Sequence, residues 1–232
     1  MLAWLERGDP FPPVERALKN PNGLLAAGAD LSVERLLAAY RRGIFPWYSG
    51  GQPPLWWSPD PRMVLECEAL KVSRSLAKSL RNKGYEVRID TAFPEVLRGC
   101  SEPRRHEPTT WLGADMRVAY ARLHQEGYAH SFETWRGGEL VGGLYGVALG
   151  RMFFGESMFS RATDASKVAL VKLVEVLRTR GFPLVDCQIH TPLLESLGAR
   201  EISRAQFLRA LASLVNYPEP PMKWSMTTQR IA

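Results

Sequence analysis

The 232-residue sequence has no apolar run long enough to span a bilayer. Its opening residues, Met1-Leu2-Ala3-Trp4-Leu5-Glu6-Arg7, lack the charged-then-apolar layout of a secretory signal. Cysteine is scarce. Cys67, Cys100 and Cys187 are odd in number and widely spaced, which excludes a full disulfide framework and any C-x-x-C metal or redox motif. These absences lead to the expectation of a soluble, cytoplasmic protein with no membrane partner. Histidine is scarce as well: His106, His124, His130 and His190 are scattered, with no H-E-x-x-H, so no metal site is expected. His190, just past a strand end, is a minor candidate and reads better as a surface residue capping a loop. There is no Walker A sequence, no dinucleotide fingerprint and no serine in a nucleophile elbow. Metal-based and covalent-triad chemistry are therefore disfavoured.

What the chain does have is aromatic residues in unusual places. Three of its seven tryptophans fall in Gly43-Ile44-Phe45-Pro46-Trp47-Tyr48 and Leu55-Trp56-Trp57-Ser58-Pro59-Asp60-Pro61-Arg62. Proline removes N–H donors and pushes its predecessor toward extended geometry, so this cannot be an ordinary helix. A rigid aromatic loop suits either a packed inter-domain seam or a flat surface for a planar ligand. The balance of 30 Lys+Arg against 24 Asp+Glu, a net charge of +6, favours a polyanionic partner without requiring one.

Residues 1–62 are proline-dense and read as a small, irregular N-terminal domain, and residues 63–232 as a second domain of regular elements. In the first, Ser32 caps a helix over 33–42 with Val33, Leu36, Leu37 and Tyr40 on one face and Gly43 as its stop. In the second, a helix is expected over 71–83, with Val72, Leu76 and Leu80 inward and Lys71, Arg74, Lys78 and Arg81 along one face. That stripe is either a solvated face or a set of phosphate contacts. A helix over 114–126 follows, then a hairpin (129–135 and 140–148) and a strand over 151–154. After these come a long helix over 165–180, a strand over 184–187, a short helix opened by Thr191-Pro192, and a last helix opened by the capping box Ser203 to Gln206. The order is α+β and resembles the acyltransferase (GNAT-like) fold of N-acetyltransferases, which says little about substrate.

Two segments offer chemistry. In Phe153-Phe154-Gly155-Glu156-Ser157-Met158-Phe159-Ser160-Arg161, an acid stands among aromatics, where it needs a cation or hydrogen-bond donors. Glu156 is open to a simpler reading, pairing with Arg161 or capping a turn. In Leu184-Val185-Asp186-Cys187-Gln188, strand alternation projects Asp186 and Gln188 together at the end of an apolar strand. That pair is either a site or a brace for the loop.

These residues carry a resemblance. Asn22-Gly23-Leu24-Leu25, Gly43 to Trp47, Trp56 to Pro61, Phe154 to Ser160, Ala165-Ser166-Lys167 and Asp186-Cys187-Gln188 are similar, in consistent order, to the bacterial leucyl/phenylalanyl-tRNA–protein transferases. The resemblance implies an enzyme that moves leucine or phenylalanine from aminoacyl-tRNA to the N-terminal amine of proteins beginning with Arg or Lys, marking them for N-degron proteolysis, with no bound cofactor. It implies that Trp47 and Trp111 hold the terminal adenosine, and that Leu144, Phe153, Met158, Leu173, Leu177 and Val185 form the amino-acid pocket. Leu173 and Leu177 stand where relatives often carry phenylalanine. It further implies Asp186 as proton acceptor or orienting carboxylate, Gln188 as a hydrogen-bond acceptor for the attacking amine polarised by Asp186, and Glu156 as a binder of a substrate amine or of the acceptor's basic side chain. Two rivals remain: an acetyl-CoA-dependent N-acetyltransferase, disfavoured because Glu156 to Ser166 holds no glycine for a pyrophosphate turn, and a non-catalytic tRNA-binding module.

Overall fold

The computed structural model describes residues 2–103, 111–218, 222–224 and 226–230, the last group by backbone only. His106 lies outside the described residues. The proline-dense N-terminal region holds a sheet of β1 (Ala3–Leu5), β2 (Leu24–Gly28), β3 (Phe45–Pro46) and β4 (Leu55–Trp57) in the order β1-β2-β4-β3. Between β2 and β3 runs α1 (Val33–Tyr40), where the Ser32 side chain accepts from the Arg35 N–H and Gly43 takes a φ of 70° beyond its end. What reads as irregular in sequence is thus a small sheet of strands two to five residues long.

The larger sheet contains β5 (Arg62–Glu66), β6 (Glu86–Ile89), β7 (Ala129–Arg136), β8 (Glu139–Leu149), β9 (Met152–Ser160), β10 (Leu184–Gln188), β11 (Arg200–Ile202) and β12 (Met226–Arg230). Their order is β11-β5-β10-β9-β8-β7-β6-β12. The helices are α2 (Arg74–Asn82), α3 (Phe93–Ser101), α4 (Ala114–Gln125), α5 (Ala165–Thr179), α6 (Pro192–Ser196) and α7 (Arg204–Val215). Among the described residues β9 and β10 are the one parallel pair of this sheet, and α5 is the crossover that parallel neighbours require. The result is the α+β, GNAT-like arrangement that the element order suggests. Among the described residues no helix is long and apolar enough to cross a membrane.

The sheet separates two cores. On one face α1, α3, α4 and α7 pack Leu36, Tyr40, Phe93, Tyr120 and Phe207 with Trp56 of β4 and Phe154 of β9. On the other, α2 and α5 bring Leu76, Val168, Leu173 and Leu177 against Leu144, Phe153 and Val185. A buried Leu or Phe contributes about 1.5–3 kcal/mol relative to exposure, which is why α5, apolar on most sides, is buried along most of its length with Glu175, Arg178 and Thr179 left exposed.

Three expectations need correction. The helix expected from Lys71 begins at Arg74, because the Ser73 side chain accepts from the Leu76 N–H and starts it there. Lys71 and Val72 therefore lie ahead of the helix, both exposed, and the four cations do not share one helical face. The strand expected to stop at Phe154 continues to Ser160, so Glu156 belongs to a strand rather than a turn. Strand β6 and helix α3 are not foreseen. Pro94 and Gly99 disguise α3, yet Pro94 falls in its first turn, and a Cβ on Gly99 would lie 2.7 Å from the Phe159 ring.

Candidate active site

The β9–β10 ladder pairs Met152, Phe153 and Phe154 with Leu184, Val185 and Asp186, and then ends. At that point each strand carries an irregularity. On β9 the register to β8 passes from Gly146↔Gly155 to Tyr145↔Ser157, so Glu156 is an extra residue with no partner. On β10 the register to β5 passes from Asp186↔Val64 to Gln188↔Met63, leaving Cys187 extra. Bulges bend strands and re-aim side chains. Here two of them adjoin a cavity of about 790 Å³ whose wall includes Glu156 and Gln188.

Glu156 is held by hydrogen bonds rather than by a cation. Its Oε1 accepts from the Tyr40 hydroxyl at 2.8 Å and from Gln188 Nε2 at 3.0 Å, while Oε2 accepts from the Tyr120 hydroxyl at 2.6 Å. The two hydroxyls lie 2.8 Å apart, and one can donate to the other only when Glu156 is protonated and returns a proton to the network. Burial lifts the Glu156 carboxyl to about 7 against the opposing pull of both tyrosine hydrogen bonds. The Tyr40 and Tyr120 hydroxyls are pushed well above the usual phenolic range, first by burial and then by the neighbouring carboxylate. Pairing with Arg161, the simpler reading of Glu156, does not occur: Arg161 joins Glu102 instead.

Asp186 faces elsewhere. It is fully buried and bidentate to Arg62, with Nε to Oδ1 at 2.8 Å and Nη2 to Oδ2 at 2.6 Å. Arg62 also donates from Nη1 to the Gly43 carbonyl at 3.1 Å, and its guanidinium stacks on Phe45 and Phe207, 4.8 and 4.6 Å from the ring centroids. Oδ1 of Asp186 additionally accepts the Gln188 backbone N–H at 2.9 Å. That bond accompanies a left-handed Gln188 backbone with φ of 65°, a conformation that costs a residue with a Cβ roughly 1–3 kcal/mol. The expectation that alternation projects Asp186 and Gln188 together is corrected here. Cys187 interrupts the alternation, so Gln188 reaches the cavity and Asp186 does not.

Of the residues singled out in the sequence, Trp47, Trp111, Leu144, Met158, Leu173 and Val185 line the cavity with Glu156 and Gln188. Phe153 and Leu177 lie beneath its wall, fully buried. Trp47 is 40 % exposed and edge-on to Trp57, whose indole N–H donates to the Trp47 carbonyl at 2.6 Å. Arg74, Lys78 and Arg81 on α2 and Lys71 ahead of it are exposed, and none joins an ion pair among the described residues. His190 is exposed and pairs with Glu195 at 3.1 Å. Among the described residues no group of three or more His, Cys, Asp or Glu could hold a metal ion. The sequence leaves Arg62 without a task, places Tyr40 on the inward face of its helix, and assigns Tyr120 no role. An arginine opening the apolar run Met63-Val64-Leu65 is the signal: buried there, its charge must meet a carboxylate.

Comparison with known proteins places the chain in a family. The model of the leucyl/phenylalanyl-tRNA protein transferase family matches residues 64–212, and that of its N-terminal domain matches residues 29–60. The leucyl/phenylalanyl-tRNA–protein transferase of Chromobacterium violaceum is 60% identical over 224 residues, covering 97% of this chain and 96% of that one. The protein of the same name from Thiobacillus denitrificans is 62% identical over 215 residues, covering 93% and 94%. Among solved structures, L-PGS from Bacillus licheniformis is similar with a TM-score of 0.41 and 12% identity, over 72% of this chain and 53% of that one, too distant a likeness to bear on function. With family models over both regions and relatives at about 60% identity along nearly its whole length, the chain belongs to the leucyl/phenylalanyl-tRNA–protein transferase family.

Proposed function

We propose that this protein transfers leucine or phenylalanine from aminoacyl-tRNA to the N-terminal amine of proteins beginning with Arg or Lys, in the cytoplasm, and so marks them for N-degron proteolysis. The observation that carries the reading is the bond between Gln188 Nε2 and Glu156 Oε1, set on the wall of a cavity that also holds two tryptophans and an apolar patch. The ester of aminoacyl-tRNA is already activated. The acceptor nitrogen attacks its carbonyl carbon, the bond to the ribose oxygen breaks, and the proton lost by the amine ends on that oxygen. The protein supplies position and hydrogen bonds.

In this reading Leu144, Met158, Leu173 and Val185 receive the amino-acid side chain, with Phe153 and Leu177 behind them. Gln188 has its amide N–H₂ on Glu156, which leaves the amide oxygen to accept from the attacking amine. Glu156 anchors a substrate amine. Asp186 is the orienting carboxylate, acting through the Gln188 backbone. Lys71, Arg74, Lys78 and Arg81 contact phosphates of the acceptor stem, an affinity that salt weakens. The proline-dense region, residues 1–62, acts as a small domain packed against the larger one and presents Trp47.

Transfer from charged tRNA to an Arg-starting peptide tests the reading, and absence of transfer overturns it. Within that assay, Trp47→Ala and Trp111→Ala should each weaken use of a minimal aminoacyl-adenosine donor as much as use of full tRNA. Base–aromatic stacking is worth roughly 1–3 kcal/mol per base and the adenosine is common to both donors. Normal binding of the minimal donor by a folded variant would return that tryptophan to a packing role.

Acidity gives a second check. With Glu156 at about 7, lowering the pH from 8 to 6 reduces its carboxylate fraction about tenfold. The acceptor amine also gains a proton over this range. The acidic limb of kcat/KM should therefore fall with a log slope near two in the wild type and near one in Glu156→Gln. Equal slopes would remove Glu156 from the reaction.

A further inference from the structure

The ring of Phe153 lies under the apolar wall of the cavity and is fully buried. On β8, Gly146 stands two residues beyond Leu144 and so on the same face of the sheet. A Cβ at Gly146 would lie 2.3 Å from the Phe154 carbonyl oxygen, and 2.5 Å from Cε1 and 2.7 Å from Cζ of Phe153. The Phe153 ring therefore packs over the bare backbone of Gly146, where with the Phe154 carbonyl it fills the place of a side chain, beside the wall residue Leu144. On the next strand Phe153 pairs in register with Val185, a second wall residue.

Something must keep that ring in place, and it comes from far along the chain. Trp224 is 3% exposed, and its ring centroid is 6.0 Å from that of Phe153. Its indole stacks on His130 at 4.0 Å and 8°, meets Phe182 and Phe132 edge-on at 5.8 and 6.3 Å, and lies under the Arg180 guanidinium at 4.7 Å. Its backbone N–H donates to Asp90 Oδ2 at 3.2 Å, an oxygen that also lies 2.8 Å from His130 Nδ1. A tryptophan held from both faces, its edge and its backbone is a rigid backstop, not a loosely docked tail.

We propose that Trp224 is a positioning residue for choice of the donor side chain: it holds the Phe153 ring over Gly146 and thereby sets the depth of the amino-acid pocket. The proposal rests on the transferase reading above. On the helix side the pocket is bounded by Leu170 and Leu173, with Leu177 beneath, and on the sheet side by Leu144 and Val185, with the Phe153 ring beneath. Removing the backstop lets the Phe153 ring withdraw and deepens the pocket, which favours phenylalanine over leucine. A single methylene in an apolar pocket is worth roughly 10–200-fold in discrimination, and the phenylalanine side chain is larger than leucine's by more than that, so a change of about tenfold is available to this device.

The experiment compares kcat/KM for leucyl-adenosine and phenylalanyl-adenosine, donors that differ only in the side chain, with the full-length protein and an Arg-starting peptide. Trp224→Ala should raise the Phe-to-Leu ratio about tenfold. Trp224→Phe keeps a ring on His130 and folds more readily, and it should raise the ratio about threefold. Phe153→Leu should raise it as well, and combining it with Trp224→Phe should add little, because both act through one ring. An unchanged ratio in folded Trp224→Phe, or full multiplicative effects in the double variant, would overturn the proposal. Activity of the wild type with both donors keeps this outcome separate from failure of the transferase reading itself.

Discussion

Arg62→Met should destabilise the protein by about 3–5 kcal/mol, the usual cost of leaving a buried charge without its partner. The Arg62–Asp186 pair is closed to solvent on both sides, at 1% and 0% side-chain exposure, and methionine leaves the Asp186 carboxylate facing Phe45 and Phe207 with no cation. Replacing both members, as Arg62→Met with Asp186→Leu, should recover much of that loss, since apolar substitutes for a buried pair are often neutral or stabilising. Turnover should not recover with it. The Gln188 backbone N–H loses its acceptor on Asp186 in the double variant, and its left-handed turn loses its support. Urea unfolding and single-turnover transfer, measured on the same preparations, separate the two effects. A double variant that is stable and fully active would show that the pair has no part in positioning Gln188.

The second large effect concerns Gln188. Gln188→Gly should lower turnover by about 10²-fold or more, the scale of a lost positioned group in proton-coupled attack. It should also raise stability by roughly 1 kcal/mol, because glycine adopts positive φ without the steric cost that glutamine bears at 65°. Gain of stability with loss of turnover is the signature of strain kept for function. Asp186→Asn should reduce turnover on a similar scale through Gln188, and the two changes together should cost less than their product. Single-turnover kinetics with saturating donor checks this, and donor binding should change little, since the apolar wall holds the amino acid. Multiplicative losses would mean that the residues act independently. Near-normal turnover in Gln188→Gly would take the amide out of the reaction.

Much of the scaffold is legible in the amino acids themselves. Ser32, Ser203 and Thr191 accept the first helical N–H groups where their positions announce it, and the hairpin of β7 and β8 turns at Gly137-Gly138. These features depend on contacts within four residues, so a single sequence carries them. Lys71 shows the limit of the method: its spacing fits a helix that Ser73 starts three residues later. The components of the candidate site are legible too, as residue types out of keeping with their surroundings: Glu156 among aromatics, Gln188 ending an apolar strand, tryptophans in a proline-rich loop.

By itself the sequence determined most of the helices, the hairpin and, through rare residues in consistent order, the family. Tertiary structure alone decided which side chains meet. The β9 and β10 bulges exist only as mismatches with neighbouring strands, so strand alternation misassigned Asp186 and could not reveal that Glu156 is the unpaired residue. Arg62 finds Asp186 across 124 positions, Tyr40 finds Glu156 across 116, and Trp224 reaches Phe153 from near the other end of the chain. Capping and periodicity are local and act along the chain, whereas burial demands that every charge and hydroxyl be satisfied by whatever the fold brings near. That second requirement has no sequence spacing, and it is the one that builds the site.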